Sequence, residues 1–441
     1  MRTTARWYIK FLQWKTQYLT HRQFILLLCG LVGVATGFAA LAMRSLTHFI
    51  EEVLVGNIIR YINYGFYVIF PAVGFLLVYW VKKYIIRKEV SHGIPSILYA
   101  VAKQKGIMKR FQAYGSILTA PITIGFGGSV GLEGPMVVTG AGISSQVARL
   151  FHINQSDRML LLACACAAAL AAIFKVPLAG ILFAIEVFGL DLTLSSLLPL
   201  FVASLSGVLT SYIFFGNAAL LPIYVGDSFL MHNIPFYLLL GVVGGFMSAY
   251  FTFVYEGVNR FFSKFSSAYL RIVIGGAILG LLVFVMPPLY GEGHEVINHL
   301  KAGHPELSIS SNIFGWNLEN PWVVILLLGG LVLFKVVATS VTFGAGGVGG
   351  IFSPMLFMGG VMGNCFARII NQIDILPYKL PLANFTLIGM TALMTGVLHA
   401  PLTAIFLIAE VTGGYSLFVP AMVTAVVSFS IAKYFNKYSI Y

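Results

Sequence analysis

The residues whose types and spacing could do chemistry lie in one glycine-rich run, Gly131-Leu132-Glu133-Gly134-Pro135. Proline suits the first turn of a helix, where its missing N–H costs nothing. The run therefore predicts a helix that starts near Glu133, inside a long apolar stretch. A helix start presents backbone N–H groups without intrahelical partners, together with the positive end of the helix dipole. In hydrocarbon those groups need a partner, and the natural one is an anion. A second run, Gly350-Ile351-Phe352-Ser353-Pro354, has the same design. A third, Ser91-His92-Gly93-Ile94-Pro95, predicts a further start that approaches from the inner side. A single Gly-Pro turn would be read as a kink. Three such turns, two of them related by a repeat, point to an anion site.

Glu133 is an ionisable residue in an otherwise uncharged run of more than thirty residues. Intramembrane carboxylates are costly and usually functional. A carboxylate at this helix start can occupy the anion site itself and leave it on protonation. That makes a gate which competes with the anion and is coupled to protons.

The elements that hold these residues follow from composition and repeat. Of 441 residues, 59% are apolar and 10% charged, against roughly a quarter charged in an average soluble domain. Mean hydropathy is +0.90. A soluble globular chain is excluded. The net charge of +12 does not imply nucleic acid, because the basic residues lie between apolar runs, where the positive-inside rule places them. The class is an all-α polytopic membrane protein. Apolar runs cover about 23–43, 64–81, 113–148, 158–190, 193–215, 236–262, 269–288, 322–342, 351–372, 380–411 and 415–432. Several exceed the ~20 residues of one spanning helix yet fall short of two. Broken, tilted or re-entrant helices are implied.

The chain repeats itself. Gly125 to Met136 aligns without gaps on Gly344 to Met355, at an offset of 219 residues. Pro177 to Val187 aligns on Pro401 to Val411, at an offset of 224, and Gly30 and Gly33 align on Gly241 and Gly244. The expected organisation is a first half at 1–215, a linker at 216–235 and a second half at 236–441. An odd number of crossings per half would invert one half relative to the other. The repeat partner of Glu133 is Phe352, so the acid is special to one half. Glu186 and Glu410 are partners at equivalent helix ends, which suggests capping or pairing rather than proton transfer.

Charge sets the expected orientation. Five basic residues and no acid lie within the first 22 residues, a stretch read as an amphipathic surface helix. The N-terminus is expected in the cytoplasm, with Glu51 and Glu52 outside and Lys82, Lys83, Arg87 and Lys88 inside. Residues 89–102 cannot cross and should dip in from the inner side or lie on that surface. Cys29, Cys164, Cys166 and Cys365 read as buried free thiols. The pattern calls for no cofactor and no metal. Gly127-Gly-Ser129-Val-Gly131 also fits the G-x-S-x-G elbow of serine hydrolases. The repeat copy has Val348 where Ser129 stands, and no acid is placed to orient a histidine.

Together the three motifs resemble those of the CLC family of chloride channels and proton-coupled chloride exchangers. Gly131–Pro135 is similar to that family's G-K/R-E-G-P, Gly350–Pro354 to G-x-F-x-P, and Ser91–Pro95 to G-S-G-I-P. The resemblance covers essentially the whole chain. It implies transport of chloride or another small monovalent anion, either through a channel or in exchange for protons. It also implies a homodimer with an anion pathway in each subunit, built from two inverted halves of tilted helices in a plasma (inner) membrane, with both termini cytoplasmic. Glu133 then corresponds to the external gating glutamate. The anion would be held by backbone amides of Gly93, Gly134, Ile351 and Phe352, by His92, and by the hydroxyl of Tyr441.

Three departures from the family pattern matter. Leu132 replaces the basic residue before the gate. Val187 stands where exchangers often carry an inner proton-transfer glutamate. His92 replaces the central serine, as fluoride-selective members also alter it, so fluoride export is an alternative. An imidazole at position 92 either donates an N–H to the anion or turns away and leaves the backbone amides to bind alone. In the first case anion binding varies between about pH 5 and 8 and the variation is lost in His92→Ser. Binding titrations across that range separate the two.

Overall fold

The computed structural model describes residues 17–59, 65–88, 90, 93–191, 193–216, 229–309, 318–374 and 376–441. The predicted N-terminal surface helix, most of the 216–235 linker, and Ser91 and His92 lie outside them. The described residues form helices joined by turns and short loops, with no strand among them; their one β-bridge is Gly131–Gly350.

The helix α1 spans His21–Glu51 and opens with a capping box: the Thr20 hydroxyl accepts from Gln23 N–H while the Gln23 side chain accepts from Thr20 N–H. The chain continues through α2 (Phe66–Trp80), the short α3 (Pro95–Lys103), α4 (Gly115–Gly125), α5 (Glu133–Leu150), α6 (Gln155–Phe174), α7 (Pro177–Phe188) and α8 (Leu194–Phe215). The second half holds α9 (Ile234–Ser263), α10 (Ala268–Val285), α11 (His294–Lys301), α12 (Glu306–Ile309), α13 (Pro321–Gly344), α14 (Phe352–Ile373), α15 (Leu382–Leu398), α16 (Pro401–Val411) and α17 (Phe418–Phe435). Eight helices among the described residues are long and apolar enough to cross a bilayer, while α4, α7, α15 and α16 are shorter apolar helices.

The over-long apolar runs are broken, as expected, and the breaks fall at equivalent positions of the two repeats. Run 113–148 divides into α4 and α5 around a glycine turn in which Gly127 has φ +95°. Its partner turn carries Gly346, also at φ +95°. Runs 158–190 and 380–411 divide at Lys175 (φ +61°) and His399 (φ +58°), left-handed residues that end α6 and α15 ahead of Pro177 and Pro401. Those two positions are repeat partners.

Packing repeats in the same way. The pair α1–α8 has its counterpart in α9–α17, α5–α6 in α14–α15, and α6–α8 in α15–α17. Equivalent helices also meet each other across the halves, α2 against α10 and α7 against α16. Small residues permit the closest approach, as in membrane bundles generally. A Cβ on Gly363 of α14 would lie 1.9 Å from the Phe385 carbonyl oxygen of α15. The helices α5, α6, α14 and α15 are largely buried, whereas exposed apolar residues such as Leu31, Phe253, Leu281 and Val426 lie on the outer helices α1, α9, α10 and α17.

Bonds between the halves are reciprocal. Ser129 N–H donates to Thr342 Oγ1 (3.1 Å), and Val348 N–H donates to Thr123 Oγ1 (2.9 Å). The Glu186 carboxylate accepts from the N–H groups of Leu402 and Thr403 (both 2.8 Å) at the start of α16. In return, Glu410 accepts from Leu178 (3.0 Å) and Ala179 (2.7 Å) at the start of α7. The paired acids are thus structural caps, as their symmetry suggested. Removing such a cap costs about 0.5–2 kcal/mol. Glu186→Ala and Glu410→Ala should each lower the thermal midpoint in detergent, and the double variant should lose about the sum.

Candidate functional site

Two helices begin at the centre of the molecule and face each other. Leu132 precedes α5 and Ile351 precedes α14. An antiparallel bridge registers the two starts: Gly131 N–H donates to Gly350 O (2.9 Å), and Gly350 N–H donates to Gly131 O (2.7 Å). The approach needs glycine. A Cβ on Gly134 would meet the Gly350 Cα at 2.9 Å, and one on Gly349 would meet Val130 Cγ2 at 2.2 Å.

A cavity of about 40 Å³ lies against this junction. Gly93, Gly134, Ile351 and Tyr441 line it, together with Tyr255 and Phe343. A water needs roughly 10–15 Å³ of such space, so the cavity suits a small, largely dehydrated ion. Four of the residues singled out from sequence therefore converge on one volume. Phe352 opens α14, and its ring packs on Phe174 (5.5 Å) and Phe183 (6.5 Å). The short α3 brings its N-terminal Gly93-Ile94-Pro95 to the same cavity, so the chain from Gly93 onward reaches inward rather than lying flat.

Glu133 is 1% exposed. The backbone N–H groups of Glu133 and Ser353 face its carboxylate, which is where a bound anion would sit between two helix starts. The Ser353 hydroxyl donates to Oε1. Around it lies a cluster from distant parts of the chain. His294 Nε2 is 3.1 Å from Ser353 Oγ, 4.0 Å from Glu133 Oε1 and 3.7 Å from Glu292 Oε2. The other oxygen of Glu292 accepts from Leu132 N–H at 2.7 Å. Lys335, fully buried on α13, donates to the carbonyls of Gly291 (3.0 Å) and Leu289 (3.5 Å) and lies over the Phe357 ring. Arg44 of α1 and Lys301 of α11 add positive charge facing His294. Ligating atoms of Glu133, Glu292 and His294 come within 4.8 Å of one another. Three cations face the same spot, and their charge disfavours a metal ion there.

Residues 73–433 match the family described as voltage gated chloride channel. The chain belongs to the CLC family. Among its curated relatives is the H(+)/Cl(-) exchange transporter ClcA of Salmonella arizonae, 27% identical over 95% of this chain and 87% of the relative. The fold is shared with two solved structures. A slow cyanobacterial Cl-/H+ antiporter superposes with a TM-score of 0.76 at 22% identity, over 95% of this chain and 96% of that one. A CLC-type fluoride/proton antiporter superposes with a TM-score of 0.76 at 21% identity, over 96% of this chain and 98% of that one.

A larger hollow of about 810 Å³ borders the central cavity at Phe343 and is lined by Lys82, Lys83, Arg87, Lys88 and Arg271. Five cations around one concavity give it a positive potential that attracts anions. Ser129, the residue of the hydrolase-like elbow, has a buried hydroxyl without a hydrogen-bond partner among the described residues, so no histidine is set to activate it.

Sequence reasoning missed Lys335, Glu292, His294 and the role of Ser353. Lys335 carried a signal, being a lone cation in the apolar run 322–342. Glu292 and His294 carried none, because they lie in a polar connection some 160 residues from the gate in sequence.

The two glycines of the gate motif should respond differently to a methyl group. Gly134→Ala clashes with backbone and should cost about 1–3 kcal/mol in a thermal melt. The Cβ of Gly131→Ala would lie 2.0 Å from Glu133 Oε2 and 2.8 Å from Ser353 Oγ. Ser353 Cβ, also at 2.8 Å, is fixed to its backbone, so that variant should destabilise as well and, in addition, displace the carboxylate and weaken the pH dependence of anion flux.

Proposed function

We propose that the protein exchanges chloride, or another small monovalent anion, for protons across a membrane, with Glu133 as the proton-sensitive gate. The single observation that carries this is the position of Glu133: a buried carboxylate at one of two facing helix starts, next in sequence to Gly134, which lines a cavity of about 40 Å³. Ionised, the carboxylate takes the N–H groups that an anion would use. Protonated, it no longer competes for them, and the path opens. The family places anion transport first, and the curated relative is named an exchange transporter. Gly93, Gly134, Ile351 and Phe352 supply backbone N–H groups, His92 a ring N–H, and Tyr441 a hydroxyl.

In this reading the halves at 1–215 and 236–441 are inverted in the plasma (inner) membrane, both termini are cytoplasmic, and the Lys82–Lys88 side faces the cytoplasm. Two copies form a homodimer. The exposed apolar residues Leu198, Phe201, Leu205 and Leu209 along α8 offer a face for lipid or for the second copy. Neither nucleic acid nor a hydrolytic reaction enters. His92 in place of serine favours one second reading, fluoride-selective exchange, which a fluoride-sensitive electrode distinguishes from chloride exchange.

Reconstitution into vesicles with simultaneous anion and proton recording tests the proposal. A chloride gradient should drive protons uphill, and Glu133→Gln should keep anion flux while proton movement disappears. A reversal potential that ignores a pH gradient would make the protein a channel. Absence of anion flux in the folded protein would overturn the reading altogether.

A further inference from the structure

Buried Glu133 has no direct exit to water, yet the proposed exchange requires protons to reach it. We infer that Glu292, His294 and Ser353 form a proton wire that loads Glu133 from the side of the molecule carrying Glu51 and Glu295. The inference rests on the reading of Glu133 as a protonated gate.

The geometry is directional. Glu292 is the outermost member, with its side chain 12% exposed, against 8% for His294 and 2% for Glu133. His294 Nε2 is a single atom shared by the next two members, 3.7 Å from Glu292 Oε2 and 3.1 Å from Ser353 Oγ. The Ser353 hydroxyl donates to Glu133 Oε1. Nδ1, the second ring nitrogen, has no partner among the described residues, so all of the bonding of the imidazole converges on Nε2.

A transfer balances without any other reactant. A hydronium ion outside protonates Glu292 and leaves as water. The Glu292 O–H bond breaks as its proton bonds to the Nε2 lone pair of the Nδ1–H tautomer, giving an imidazolium. A tilt of the ring turns the new Nε2–H from Glu292 toward Ser353 Oγ. Nε2 then passes that proton to Ser353 Oγ while the Ser353 O–H proton bonds to the Glu133 carboxylate. The imidazole returns to the Nδ1–H tautomer and the serine to a hydroxyl, and the reverse tilt resets the wire. The 3.7 Å step closes by a small side-chain rotation or a bridging water.

Every charged group around the wire has a place in it or a reason to be there. Arg44 of α1 and Lys335 of α13 face both Glu292 and His294, and Lys301 of α11 faces His294. Glu51 of α1 faces Glu292 and is itself faced by Glu295. Tyr441 and Glu292 face Glu133. Two fixed cations beside two carboxylates let one excess proton move inward without leaving a large uncompensated charge at any step. Leu132, which lacks the cation of the family motif, is tied by its backbone N–H to the first member of the wire.

The test uses full-length protein in vesicles, with proton uptake driven by a chloride gradient. His294→Ala should slow proton movement on the order of tenfold or more, and imidazole added to the medium should restore it, a rescue that a merely structural histidine would not give. Ser353→Thr keeps the hydroxyl and should keep the rate, whereas Ser353→Ala should lose it. Glu292→Gln should slow loading and flatten its dependence on pH. If His294→Ala folds and moves protons at the parental rate, or is slowed without imidazole rescue, the wire is overturned. Equal rates for Ser353→Ala and Ser353→Thr also overturn it. Glu133→Gln separates the two levels: unchanged proton movement there sinks the gate itself, while its loss with a normal rate in His294→Ala sinks only the wire.

Discussion

A helix that begins inside a bilayer leaves backbone N–H groups pointing at hydrocarbon, and the whole architecture follows from finding acceptors for them. The protein meets this constraint in two ways. At α7 and α16 a carboxylate from the opposite half is a permanent cap, Glu410 for one and Glu186 for the other. At α5 and α14 the acceptor is Glu133, whose carboxylate lies between the two starts rather than across the interface. The first arrangement holds the halves together. The second leaves a position that a mobile carboxylate and an anion can occupy in turn. Exchange of occupants is possible only when the two are bound with similar free energy, and a binding site made of backbone dipoles treats both alike.

The reciprocal bonds explain why such a position stays defined. Gly131 and Gly350 exchange two hydrogen bonds, and Ser129 and Val348 each reach into the other half for a threonine hydroxyl. Symmetry fixes the backbone, so the departures from symmetry mark the function. Glu133 has Phe352 as its partner. Gly134 has Ser353, and this second difference is as telling as the first. Where one half needs glycine to pass within van der Waals range of Gly350, the other carries the hydroxyl that holds the Glu133 carboxylate.

How much of this was legible in the sequence depends on the distance over which each feature is encoded. The helix starts at Glu133 and Phe352, the existence of breaks in the long apolar runs, and the capping role of Glu186 and Glu410 are written locally and twice, so the repeat made them readable, whereas the breaking residues Lys175 and His399 show only in the structure. The convergence of Gly93, Gly134, Ile351 and Tyr441 on one cavity was legible only through resemblance, since nothing in spacing relates position 93 to 441. The surroundings of the gate were not legible. Leu132 reads as a lost cation, yet Arg44 and Lys335, far away in the chain, bring positive charge to the same neighbourhood. Periodicity and motif report what a segment is, not which remote side chains its fold will meet.

The buried charges around the gate are best understood together. Isolated, a lysine as deeply buried as Lys335 would be very costly. Here it is held by two carbonyls and an aromatic face, with Glu292 nearby. Breaking such an arrangement by removing one partner typically costs about 3–5 kcal/mol, more than any single contact in it is worth. The network therefore persists or fails as a unit. That rigidity is useful beside a gate. Glu292 is held by Leu132 N–H, Lys335 by the 289–291 turn, and Glu133 Oε1 by the Ser353 hydroxyl, while Glu133 Oε2 has no hydrogen-bond partner among the described residues. One carboxylate oxygen in an otherwise bonded network is thus left open to a further donor.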